Sequence, residues 1–237
     1  MTARLISWPN GLKCTNFTKL KGPVSAGSKN NLTITGATQY VSAPTSPLAF
    51  SVSIYLEYGV AATRSEGMIT ALHDGSNALR FPWNITGKLL DPTHYGLSSA
   101  QELNWSNGQP WDNGRGWAGS YPTETVTAAA SKNTTIVNLG STAWGDVLGM
   151  GDKFGFDTYF GVYEITETFP LEPGKYRVWP PLRVDITTST VATLEPTVIV
   201  KPVGEISVNL KPFQYDPVPM TLVEIPDETV RAYYTLD

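Results

Sequence analysis

One cysteine and two histidines are all this 237-residue chain offers of the side chains that most often ligate metals or act as nucleophiles and bases. Cys14 stands alone, so a disulfide scaffold or a cysteine-based zinc site is excluded within one chain. His73 and His94 have no carboxylate partners at metal-ligand spacing. Charge is scarce as well. Charged residues make up 16% of the chain, against roughly 25% in a typical soluble domain. A chain with so few charges suits a surface partly covered by partner subunits. The formal net charge of −4 leaves no basic patch of the kind that neutralises nucleic-acid phosphates. Lys13, Lys19 and Lys21 form the one basic cluster and read as the solvated face of a strand. No run approaches the ~20 apolar residues that a membrane helix needs. The opening MTARLISWPNG lacks the continuous apolar core of a signal peptide. The expectation is a protein made in a cytoplasm that leaves it only as part of an assembly.

What the chain does have is β character. Apolar residues reach 41%, and 21 glycines and 18 prolines break them into short runs. NNLTITGATQYV (Asn30–Val41) reads as a strand. In LAFSVSIYLEY (Leu48–Tyr58), Phe50, Val52, Ile54 and Leu56 alternate onto one face. One short helix is expected near residues 62–74, where Thr63-x-x-Glu66 fits a capping box and Met68, Ile69 and Leu72 form an apolar stripe ended by Gly75. From residue 83 to residue 140 the texture is rich in Trp, Gly and Asn and poor in periodicity. It reads as an insertion of long loops closing on a hairpin with a strand at Thr135–Leu139. Strands then return at Lys153–Phe156, Gly161–Thr168, Lys175–Val178, Arg183–Thr187, Thr197–Val200, Ser207–Leu210, Thr221–Glu224 and Val230–Tyr234, with prolines at their ends. The expected domains are a first part of a β core at 1–82, the insertion at 83–140, and a second part of the core at 141–237.

Sequence motifs for chemistry do not find their context. Gly114-Arg115-Gly116-Trp117-Ala118-Gly119 spells a dinucleotide fingerprint but lacks the strand before it and the helix after it. Asp112 and Asn113 hold a fragment of a calcium loop without the remaining ligands. The five Asn-x-Ser/Thr triplets, at Asn16, Asn31, Asn84, Asn104 and Asn133, read as by-products of composition. For a hydrolase, the candidate carboxylates are Asp146, Asp152, Asp157, Glu164 and Glu167. Strand parity places Glu164 and Glu167 on opposite faces. Trp105, Trp111 and Trp117 recur at six-residue intervals and would serve as loop anchors, subunit contacts or a stacking platform for sugars.

The stretch Gly151–Leu182 is the most regular in the chain. Its alternation places Val162, Glu164, Thr166 and Thr168 on one face and Tyr163, Ile165, Glu167 and Phe169 on the other. The second face is apolar enough for a core, with Glu167 as the exception. Asp152 and Gly174 mark turns, and Pro180 and Pro181 end the last strand after Trp179.

LGMGDKFGFDTYFGVYEITETF with PGKYRVWPPLR resembles a segment of tail proteins of long-tailed bacteriophages (siphoviruses). TGATQYVSAPTSPLAFSVSIYLEY, the helix ending ALHDG, and LRFPW are similar to their sheet-plus-helix unit. The resemblance covers 1–82 and 141–237 and points to a distal tail (baseplate hub) protein related to tail tube proteins. It implies a mainly β, tail-tube-like sandwich or barrel with one short α-helix and a loop-rich insertion. It also implies a structural, non-enzymatic virion protein without cofactors, assembled in the host cytoplasm and located in the tail. Its partners would be its own copies in a hexameric or trimeric ring, the tail tube protein, and the tip or hub proteins. DNA would pass through the lumen without specific binding, which an acidic balance favours. On this reading Asp152, Val162, Glu164, Thr166 and Trp179 belong to a hairpin in the ring wall. The alternatives are a tail tube protein or other tail adaptor, and a carbohydrate-binding module for host adsorption built on Trp105, Trp111 and Trp117.

Overall fold

The computed structural model describes residues 3–9, 12, 14–21, 47–54, 60–72, 76–83, 123–144, 148–204, 206 and 217–235. The fold is mainly β. The chain divides into two units, one of Met1–Thr86 with Val198–Asp237 and one of Gly87–Thr197.

The first unit is built on a seven-stranded sheet. Its strands are β1 (Ala3–Ser7), β2 (Cys14–Lys21), β3 (Ala49–Ile54), β4 (Ala78–Pro82), β11 (Thr197–Pro202), β12 (Val218–Glu224) and β13 (Tyr234–Thr235). They lie in the order β13-β1-β4-β11-β12-β3-β2. The alternation in β3 works as read. Phe50, Val52 and Ile54 stand opposite Leu222, Met220 and Val218 of β12, and all six are buried. Such cross-strand apolar rungs are the unit of sheet stabilisation. Phe17 of β2 extends the face, with its ring stacked on Phe50 at 5.1 Å and edge-on to Trp83 at 5.0 Å. Glu224 ends β12 as a buried clamp: its carboxylate accepts from the Leu48 amide at 3.0 Å, and its own amide donates to the Leu48 carbonyl at 2.9 Å.

Two helices flank these strands in sequence. α1 spans Val60–Leu72, and Ser65, Met68, Ile69 and Leu72 form its buried stripe. The apolar stripe was legible, but the capping box is not formed. The breaker-free Val60-Ala61-Ala62 run carries the helix upstream, so Thr63 lies inside it rather than capping it. Asn77 ties the end of α1 to β1, donating to the Ala71 carbonyl at 2.8 Å and accepting from the Arg4 amide at 3.1 Å. α2 spans Asp227–Tyr233, where the sequence predicts a strand at Val230–Tyr234. The helix wins because Pro226 stands just before it and Asp227 and Glu228 sit in its positive first turn. Arg231 closes on Asp227 at 2.6 Å one turn later, and Val230 is fully buried.

The second unit is a closed six-stranded barrel, β10-β5-β6-β9-β8-β7. Its strands are β5 (Glu124–Ala128), β6 (Ile136–Leu139), β7 (Lys153–Phe156), β8 (Tyr159–Thr168), β9 (Lys175–Trp179) and β10 (Val191–Thr193). β10 closes the ring by pairing with both β5 and β7. Phe154, Phe156 and Tyr163 form an aromatic centre inside, with ring centroids 5.4–6.1 Å apart. Val137, Ile165 and Val178 pack in the same core. This closure moves the expected domain boundary. β7–β10 belong with β5 and β6, so the second segment of the first unit begins at Val198 rather than at residue 141. Arg183–Thr187, read as a strand, makes a single bridge, Ile186 to Ala130. The strands read at Asn30–Val41 and Ser207–Leu210 lie outside the described residues.

A buried carboxylate and a left-handed glycine shape one part of the barrel. Glu124 is 3% exposed, and one of its oxygens accepts from the Ala143 and Trp144 amides at 2.7 and 3.3 Å. The other accepts from the Thr125 amide at 3.1 Å. Gly140 has no side chain because a Cβ there would run into the Glu124 carboxylate. Gly174 sits at φ +80°, where a Cβ would collide with the Leu139 carbonyl oxygen. Its own carbonyl accepts from the Leu139 amide at 2.8 Å. Gly174→Ala is expected to cost about 1–3 kcal/mol from backbone strain alone. Glu124→Ala removes the acceptor of three amides and is expected to cost about 1–3 kcal/mol. Urea unfolding of both variants measures these losses.

Candidate functional site

The β8–β9 hairpin is where the sequence places its ring-wall residues. Tyr163 and Ile165 point into the barrel core as the alternation predicts. The alternation then breaks. The register runs Ile165↔Val178 and then Glu167↔Arg177, so β8 carries an extra residue at Thr166. The Thr166 hydroxyl donates to the Arg177 carbonyl at 3.2 Å across the bulge. The bulge turns Glu167 outward, where it pairs with Arg177 at 3.2 Å. Glu164 also faces out, opposite Trp179 on β9 and 3.9 Å from the Lys153 ammonium on β7. Glu164 and Glu167 therefore share the outer face, not opposite faces, and Glu167 is no exception in the core. Val162, read as part of the polar face, is buried. Trp179 is half-buried.

Asp152 works inside its own turn. Its carboxylate accepts from the Gly149 amide at 2.6 Å, and its carbonyl accepts from the Ile165 amide at 2.8 Å. Of the other carboxylates weighed for hydrolysis, Asp157 is exposed beside the β7–β8 turn, with its amide on the Val191 carbonyl at 3.1 Å. Asp146, His73, His94, Asp112, Asn113, the Gly114–Gly119 run and all three tryptophans of the candidate platform, Trp105, Trp111 and Trp117, lie outside the described residues. Among the described residues, no group of three or more His, Cys, Asp and Glu is placed to hold a metal ion. Nor is any described helix long and apolar enough to cross a membrane.

Closure decides what the hairpin can offer a neighbour. Each of β7, β8 and β9 has a partner on both sides, so this wall presents side chains but no open edge. Open ends of a strand order occur in the other unit. Among its described strands, the seven-stranded sheet ends on β13 at one side and on β2 at the other. β13 is two residues long, and β2 is eight. β2 exposes Asn16, Thr18, Lys19 and Leu20, with Leu20 at 51%. Its only described ladder is to β3, and that ladder carries two register shifts. Lys19 lies exposed on this strand, as the reading of its lysine cluster as a solvated strand face expects.

No protein-family model and no curated protein matches the chain. The arrangement itself is therefore the starting point for function.

Cys14 opens β2, and burial pushes its thiol from an ordinary 9.0 up to about 12. The folded protein holds the thiol protonated. The resulting contribution to stability is full below pH 9.0 and is lost as pH rises toward about 12. Disulfide-exchange labelling at pH 8 is expected to be slow in the native protein and fast in denaturant. Cys14→Ala should flatten part of the stability decline between those two pH values, measured by urea unfolding across the range.

Proposed function

We propose that this chain is a structural subunit of a phage tail, forming the distal tail ring between tube and tip around the DNA channel. The observation that carries the proposal is the unlike pair of ends on the seven-stranded sheet among its described strands, the eight-residue β2 and the two-residue β13. An edge of one kind meeting an edge of another is a heterologous contact, and repeated with rotation it closes into a ring. Ring closure also removes the hazard of an exposed strand edge. The barrel supports the reading by contrast, since a closed wall does not compete for strand pairing. The resemblance in LGMGDKFGFDTYFGVYEITETF supplies the choice of a tail over other rings. In this proposal the ring wall passes from the β8–β9 hairpin to the first unit.

Negative-stain electron microscopy of the purified chain and of tails is expected to show the protein in closed rings. A strictly monomeric protein absent from tails overturns the proposal. Leu20→Asp places a charge on the exposed part of β2. It is expected to leave monomer unfolding within about 0.5 kcal/mol and to lower the ring population at least about tenfold. Equal ring yield with the variant removes β2 from the contact.

A further inference from the structure

The chain makes its two units in different ways. The barrel unit is one continuous stretch, Gly87–Thr197, whereas the sheet unit is two, Met1–Thr86 and Val198–Asp237. Strand order gives that difference a consequence. β11 lies between β4 and β12, and β12 lies between β11 and β3, so the middle of the sheet needs both stretches at once. Across the β3–β12 ladder, Val218 meets Ile54, 164 positions away in the chain, and Val223 meets Ala49, 174 positions away. The barrel is made from nearer partners. β7, β8 and β9 follow one another as antiparallel neighbours, and the closing pairs between β10 and β5 are 66 and 68 positions apart.

The barrel also completes itself. Among the described residues its core gathers fifteen buried side chains, and all fifteen lie between Val126 and Leu194. Closure pairs each of its strands on both sides within that same stretch. The irregular chain between β9 and β10 is fastened there too. The Leu182 amide donates to the Thr134 carbonyl at 2.8 Å, and the Leu182 carbonyl accepts from the Asn133 amide at 2.6 Å. Ile186 and Ala130 exchange two backbone bonds at 2.9 and 3.0 Å, and the Val126 amide reaches the Thr190 carbonyl at 3.1 Å. The way out is held as well. The Glu195 amide donates to the Thr193 hydroxyl at 3.0 Å, and Pro196 lies so close over Gly155 that a Cβ there would run into it.

Chain entropy turns this connectivity into an order of events. The chance that a flexible chain closes falls roughly as the 3/2 power of the loop length, so closing β10 on β5 is favoured about fourfold over closing β12 on β3. Near partners also form first as a rule. Pairing Ala192 with Glu124 then joins the two ends of the barrel strands and shortens the chain still separating β4 from β11. We propose that the barrel is a separate cooperative unit, which forms before the sheet and stays folded when the sheet opens. The protein then has a partly open state in which the ladders joining the two stretches of the sheet part while the barrel core remains intact. Connectivity and core composition carry this inference, and it does not rest on the tail reading.

Hydrogen exchange on the full chain tests both halves of the proposal. In pulse labelling during refolding, amides of Tyr159–Thr168 and Lys175–Trp179 are expected to gain protection at least about fourfold faster than those of Ala49–Ile54 and Val218–Glu224. Exchange from the native state then uses two mild core substitutions that the fold tolerates. Ile54→Val is expected to speed exchange in Ala49–Ile54 and Val218–Glu224 by roughly two- to tenfold and to leave Tyr159–Thr168 unchanged. Ile165→Val is expected to do the converse. Protection of both sets at one rate, or of the sheet first, overturns the order. Equal acceleration of both sets by Ile54→Val makes the chain one cooperative unit and overturns the proposal.

Discussion

The backbone edge of a β-strand is the constraint on which this structure turns. Every strand carries a row of donors and acceptors that must be paired, wetted or guarded. The two units meet that demand in different ways. The barrel meets it by closure, with β10 joining β5 to β7. The seven-stranded sheet stops at β2 and β13 among its described strands. That contrast assigns separate roles to the two units in the proposed ring. In that proposal the sheet would supply strand pairing between copies, and the closed barrel would present only side chains and turns.

Within each unit, polar groups placed in apolar surroundings fix the geometry. Glu124 gathers three amides at one edge of the barrel, and Gly140 stays bare to make room for it. Glu224 fastens the start of β3 to the end of β12 through two reciprocal bonds with Leu48. Buried carboxylates are costly unless satisfied. Each of these sits at a strand end, where backbone amides would otherwise lack partners.

The strands whose sequences alternate without interruption were legible. Phe50, Val52 and Ile54 in β3, and Tyr163 and Ile165 in β8, point where a period of two puts them. β7 matches its reading residue for residue at Lys153–Phe156. Parity failed at the Thr166 bulge, because one added residue reverses every face beyond it and leaves no local mark in the sequence. The helix at Asp227–Tyr233 was read as a strand because Val230-Arg231-Ala232-Tyr233-Tyr234 suits either state, and the start signal lay upstream in Pro226, Asp227 and Glu228. Barrel closure was not legible either. It depends on which distant strands meet, and the residues paired between β10 and β5 are 66 and 68 positions apart in the chain. Of the candidate site residues, Asp152 is a turn residue as marked, while the burial of Val162 on a face read as polar was not legible.

Hydrogen exchange of the backbone amides, compared between the unassembled chain and assembled rings, tests the central claim most directly. The account predicts that Cys14–Lys21 gains protection on assembly while Tyr159–Thr168, already paired on both sides, does not change. Equal exchange of Cys14–Lys21 in both states contradicts it.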